Sequence, residues 1–252
     1  MDQQPDEPFA GGGTETPGEA ERLAVPTLAE DLLLLLFQPD SGLQAGTGTI
    51  AGENTLFYTL AGAVLADLAL GDHVRTDTGS GGTTRVQAIE GRPPSDDILR
   101  SAWDYLSEKP RGVQTMLAAI GPTLRSPLLD RLVERGDIRR ESRKALGLFT
   151  TTVLQDGGSG RRSRLLEDVR DVLVEGAEPQ PRVAALAALL SGSGTLPQFH
   201  PEIPWTTPVI NRAKELEHGN WGAGAAAEAV ARTVTATIVN NVVIAATVLP
   251  QN

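Results

Sequence analysis

A capping-box pattern, Thr27-x-x-Glu30, stands immediately ahead of Asp31 and the uninterrupted apolar run Leu32–Phe37. In such a box the threonine and glutamate satisfy each other's free backbone N–H groups, so the spacing predicts a helix start here. A segment apolar on every side belongs in a core, and Pro39-Asp40-Ser41-Gly42 ends it. The chain is thereby committed to a short buried helix near its start.

The same punctuation predicts elements further along. An alanine- and leucine-rich helix spans about residues 54–70 and stops at Gly71-Asp72. Val74–Thr76 and Thr84–Ala88 flank a Gly/Ser/Thr loop and predict a hairpin. Ser95, followed by Asp96 and Asp97, predicts the cap of a helix carrying Ile98, Ala102, Trp103 and Leu106. A helix over 112–120 is expected to close at Gly121-Pro122. Ser126-Pro127 then predicts the N-cap and first-turn proline of another, carrying Leu128, Leu129, Leu132 and Val133. After Gly136 come two strands (138–144 and 146–153), a helix pair (164–174 and 182–190), a proline-rich loop to Pro208, and closing helices over 209–217 and 223–248. The expected fold is mainly α: a single globular α-helical domain over 24–250 with two short inserted β-hairpins. Residues 1–23 read as a disordered acidic tail, because the first 21 hold six acids, no base and three prolines.

That opening lacks the basic start and apolar run of a secretory signal. Leu32–Phe37 is far short of the ~20 residues that span a bilayer. The apolar stretch 223–249 is interrupted by Glu228, Arg232, Asn240 and Asn241, which favours a core helix. A cytoplasmic protein that touches membranes only from the surface is expected.

Enzyme chemistry finds little support. With no cysteine, disulfides, thiolate metal sites and cysteine nucleophiles are excluded. Gly-x-x-x-x-Gly-Lys and Gly-x-Ser-x-Gly are absent, and Gly79–Gly82 reads as a hairpin tip. His73, His200 and His218 share no motif. The carboxylate pairs Glu30-Asp31, Asp96-Asp97 and Glu167-Asp168 fall in first helical turns or on exposed helix faces, where acids favour the dipole or solvate the surface. No catalytic residue, metal or cofactor is predicted.

Charge placement says more. The chain carries net −10, yet residues 125–164 hold ten bases against five acids. Arginine donates two parallel hydrogen bonds to phosphate, so this island predicts an anion-binding surface. Local pairing and edge protection are the bland alternatives. A helix pair followed by a two-stranded wing over 126–153 also resembles a winged helix that would read DNA. The acidic remainder of the chain disfavours a duplex, and the predicted helix offers few side chains suited to base edges.

The order of Leu28–Leu35, Leu60–Val74, Leu129–Ile138, Phe149–Thr152, Arg164–Leu173 and Pro181–Leu190 resembles that of Golgi phosphoprotein 3-like proteins over about residues 26–250. The alanine- and arginine-rich character looks more like the bacterial branch. The resemblance implies a helical domain that binds phosphatidylinositol 4-phosphate on cytosolic membrane faces and, in eukaryotic members, an adaptor for glycosyltransferase tails. It also implies that the family's pocket tryptophan and arginine fall on Gly52 and Ala61, that Arg125 matches one helix arginine, and that a second falls at or near Pro127. Phe57 and Tyr58 are the nearest aromatic residues, with a core role equally open to them. The function expected is a non-enzymatic peripheral membrane module. It would bind phosphatidylinositol 4-phosphate or another anionic phospholipid head group through Arg125, Arg131, Arg135, Arg139, Arg140 and Arg143. Self-association through the hairpin is open, and no nucleic-acid partner is expected. A protein-interaction scaffold that has lost the lipid site is the first alternative, and a winged-helix DNA-binding protein the second.

Overall fold

The computed structural model describes residues 25–42, 46–78, 84–145, 149–219 and 225–248. The segment expected to be a disordered tail and the tips of both expected hairpins therefore lie outside the described residues.

The predicted first helix forms as α1 (Leu28–Leu36), capped by Thr27 with the reciprocal Glu30 bond in place. All nine of its residues are buried, enclosed by α2 (Leu56–Leu70), α4 (Val113–Glu134), α5 (Arg161–Arg170) and α6 (Pro181–Gly192). Each leucine so buried is worth about 1.5–3 kcal/mol relative to exposure. Helix α2 is the second interior element and touches α3 (Asp97–Ser107), α4, α6 and α8 (Ala225–Val248). Helix α7 (Thr207–Glu217) closes against α6 and α8. One continuous cluster of buried apolar residues runs from Leu28 to Ile238. No helix among the described residues is long and apolar enough to cross a membrane, and α8 instead buries Val230, Ala231, Val234 and Ile238.

The β structure is small. Strands β3 (Val74–Thr78) and β4 (Thr84–Ala88) form the first predicted hairpin, and β5 (Arg111–Gly112) adds a third strand beside β4. Strands β6 (Ile138–Ala145) and β7 (Phe149–Asp156) form the second, in register from Ile138↔Asp156 to Ala145↔Phe149. A further two-residue pair, β1 (Phe37–Gln38) with β2 (Thr49–Ile50), has no sequence signature. At this length a strand carries no periodicity.

Three expectations need correction. The cap of α3 is Asp96, whose carboxylate accepts from the Leu99 N–H at 3.0 Å, one residue beyond the predicted Ser95. More consequentially, Gly121-Pro122 does not end a helix and Ser126-Pro127 does not begin one, because α4 runs unbroken through both prolines. Proline removes an intrahelical donor and frees the carbonyl four residues back. Here both prolines, and residues Ala118 and Thr123 four positions earlier, are exposed, so water can take the freed carbonyls. Gly121 meanwhile lets α4 close on α2, since a Cβ there would lie 2.5 Å from the Phe57 carbonyl oxygen. Close helix packing outweighs the local breakers. The turn between two helices that a winged-helix reading requires is consequently missing. The helix expected over 164–174 is likewise altered: α5 passes into a π-helical turn over Asp171–Glu175, stopped by Gly176 in the left-handed region.

Candidate anion-binding site

The six arginines singled out from the sequence fall into two groups. Arg131 and Arg135, on the last turns of α4, turn inward, each side chain only 13% exposed. Both reach Glu30, which is fully buried in the first turn of α1. Arg135 Nε donates to Glu30 Oε1 at 2.7 Å, and Arg131 Nη1 donates to Glu30 Oε2 at 3.3 Å and to Asp96 Oδ2 at 2.7 Å. Arg131 Nη2 also bonds Asp97. Glu30 is then completed by the Thr27 N–H and hydroxyl at 2.8 and 3.0 Å.

The neighbouring Asp31, also buried, is held by two arginines that the sequence reading did not single out as a pair. Arg161 Nη2, from the start of α5, donates to its Oδ1 at 2.5 Å, and Arg182 Nη2, from the start of α6, to its Oδ2 at 2.6 Å. Arg161 also bonds buried Asp137, which the Ser159 hydroxyl reaches at 2.6 Å. Arg182 bridges onward to Asp67 of α2 and donates to the Pro26 carbonyl at 2.6 Å. One signal for these residues was present in the sequence. Arg161 and Arg182 sit in first helical turns, where the dipole disfavours a cation, so each needed a specific carboxylate. The pair Glu30-Asp31 is correspondingly a buried structural pair rather than a solvated one.

Asp67 completes the network. Its Oδ2 accepts the otherwise unpaired Leu28 N–H at 2.7 Å. Burial pushes its carboxyl above the ordinary value of 3.8, against the opposing pull of Arg182 and the Leu28 N–H, and Asp31 and Asp96 nearby add to the rise. It lines a cleft of about 740 Å³ together with His73, Asp97, Arg131 and Arg182, and the chain enters this cleft at Val25 and Pro26.

The second group of arginines faces outward. Arg125 Nη2 donates to Glu53 Oε1 at 2.8 Å, with both side chains about half exposed. On the hairpin, Arg139 and Arg140 are exposed and Arg143 half-buried. Arg139 Nε donates to the Asp156 carbonyl at 3.2 Å, Arg140 Nη1 to Asp130 at 2.5 Å, and Arg143 Nε to Glu141 at 3.1 Å. Residues 139 and 143 alternate in parity with 140, so arginine occupies both faces of β6. Ion pairs as exposed as these are worth about 0–1 kcal/mol, and an incoming anion can replace their carboxylates.

Of the positions that the resemblance singles out, Gly52 and Arg125 come near each other, since Glu53 follows Gly52 directly and pairs with Arg125. Gly52 has φ +69°, and a Cβ there would meet Thr195 Cγ2 at 2.6 Å, so this backbone rejects a side chain. Ala61 is fully buried in α2. Phe57 and Tyr58 are half-buried, their ring centroids 4.1 Å apart.

A helical core built around a capped, fully buried first helix, with an arginine-bearing hairpin after α4, defines the class of domain. The sequence profile of Golgi phosphoprotein 3 (GPP34) matches residues 28–233, most of the chain, and the chain belongs to that family. No curated protein matches it.

Two outcomes follow from the network. Glu30→Gln removes the charge that two inward arginines share, and breaking a buried pair on one side costs about 3–5 kcal/mol. Urea unfolding is expected to show a loss of that size. For Asp67, a folded-state pKa above the unfolded value means that the folded chain binds the proton more tightly. Its contribution is therefore greatest below about 3.8 and is lost as pH rises through the raised folded value. Asp67→Asn should accordingly gain stability relative to wild type as pH rises through that window, measured by unfolding curves across acidic to neutral pH.

Proposed function

We propose that this chain is a non-catalytic module, folded as a single domain, that docks on the cytosolic face of a membrane. It recognises an anionic phospholipid, with phosphatidylinositol 4-phosphate the head group that family membership favours. Arg125, Arg139, Arg140 and Arg143 make the contact. Arg131 and Arg135 stay with Glu30 and act by fixing the end of α4 from which the hairpin springs.

The observation that carries this reading is the division of the arginines. Those facing outward are paired with exposed carboxylates or a backbone carbonyl, which a phosphate can replace at little cost. A phosphate offers arginine the bidentate partner that it binds best. Net charge of −10 keeps the rest of the molecule from binding an anionic surface by bulk attraction, which leaves the hairpin and Arg125 of α4 as the oriented contact. A two-stranded hairpin also offers strand edges for pairing with a second copy.

A second reading, a protein-interaction scaffold without a lipid site, is favoured by Gly52 and Glu53. The first has no room for a side chain, and the second already occupies Arg125. Co-sedimentation of the full chain with neutral and anionic vesicles separates the two. Binding only to anionic vesicles is expected, weakening as salt is raised. Each basic residue near such a surface contributes about 1 kcal/mol, so the triple replacement of Arg139, Arg140 and Arg143 by Gln should weaken binding at least about tenfold. Undiminished binding by that variant would remove the hairpin from the site, and no binding to any vesicle would leave the scaffold.

A further inference from the structure

Among the described residues, only two large apolar side chains stand exposed, Val25 and Trp205. Trp205 is 48% exposed although the chain on either side of it is firmly seated. Ile203 and Val209 are buried, and the Ile203 N–H donates to the Phe199 carbonyl at 2.9 Å. The Thr206 N–H donates to the Pro204 carbonyl at 2.9 Å, and α7 begins at Thr207 with Pro208 in its first turn. Pro204 and Pro208 restrict the backbone around the turn. The indole is thus held out by a stiff turn. Its N–H has no partner among the described residues, whereas Trp103, half-buried against the core, donates to the His73 carbonyl at 3.0 Å. The stretch Pro201–Pro208 carries a single charge, on Glu202.

The segment that bears Trp205 borders both sets of outward arginines. At its start Thr195 packs on Gly52, whose neighbour Glu53 pairs with Arg125. Further along, Glu202 lies near Arg162 of α5, as does Asp156 at the end of β7. Burial lowers the pKa of that guanidinium, and both acids oppose the shift. The turn therefore lies between the Arg125 pair and the foot of the hairpin. Tryptophan joins an apolar body to one hydrogen-bond donor, and it collects at the level of lipid head groups, where the ring leaves water and the N–H stays hydrated.

We propose that Trp205 is a membrane anchor, its indole entering the head-group layer of an anionic bilayer beside Arg125 and the β6–β7 hairpin. The anchor rests on the membrane-docking reading given above and adds to it an apolar contact. Salt screens the arginine contacts, whereas withdrawal of the ring from water does not depend on charge. The two contributions are therefore separable.

The test compares the full chain with Trp205→Ala on phosphatidylserine vesicles that carry a bromine-labelled phospholipid, a quencher of indoles at its own depth. The full chain is expected to show quenched, blue-shifted emission on binding, and the variant to lack that component. Trp205→Ala should also weaken co-sedimentation by about five- to tenfold, the size expected when an apolar side chain is half withdrawn from water. That loss should persist as salt is raised, unlike the loss caused by replacing the hairpin arginines, and Trp205→Phe should recover most of it. Binding of the full chain to anionic vesicles with no emission change traceable to Trp205, or equal binding by Trp205→Ala, would overturn the anchor and leave docking through arginine alone. Failure of the full chain to bind any vesicle would overturn membrane docking itself, and the anchor with it.

Discussion

Two adjacent buried carboxylates, Glu30 and Asp31, tie the molecule together. They stand in the first turn of a helix whose every residue is enclosed, where ionised groups are costly unless each oxygen is paired. Arginines from the end of α4 and the starts of α5 and α6 converge on them, with Asp67 of α2 and Asp137 at the hairpin root extending the set. The capping box and the helix dipole favour negative charge at this end, which explains why acids occupy it. The apolar run then buries the rest of α1, and the ionic network fixes which elements meet around its beginning.

That arrangement determines what the arginine island can do. Ten bases within forty residues suggest a uniform surface when counted along the chain. In space, Arg131, Arg135 and Arg161 are withdrawn into the carboxylate network and half-buried Arg162 donates to the Phe37 carbonyl, whereas Arg125, the hairpin arginines and Arg164 of α5 face outward. The inward arginines cannot leave without stranding a buried acid, so they hold the hairpin root. The outward ones have replaceable partners. One residue type thus serves two purposes, separated by the burial of the carboxylate that each arginine meets.

Much of the framework was legible in the sequence. Thr27, Glu30 and the leucine run identified α1, and the Gly/Ser/Thr loop between Val74 and Ala88 identified the first hairpin. Local signals failed where tertiary packing overrode them. Pro122 and Pro127 read as helix boundaries, yet Gly121 lets α4 press against Phe57, and both prolines lie on the exposed side of the helix, where water can reach the freed carbonyls. The candidate site was legible only as a density of charge. Arg131 and Glu30 are a hundred residues apart in sequence, and no periodicity links them. A cation in the first turn of α5 or α6, against the dipole, was the local hint that a distant acid was waiting. Gly52 and Arg125, the positions carried over from the resemblance, are brought near each other by the fold, and the carboxylate of Glu53, next to Gly52, pairs with Arg125.

The division between inward and outward arginines is tested most directly by nitrogen–proton NMR of the arginine Nε–H groups in the full chain, titrated with a soluble short-chain anionic phospholipid. Arg135 and Arg182, whose Nε groups donate to buried carboxylates, should give slowly exchanging signals that do not move. Arg125, Arg139, Arg140 and Arg143 should exchange quickly and shift together as lipid is added. Shifts at Arg135 and Arg182 with no change at the hairpin would contradict the division and place the anion-binding site in the interior network instead.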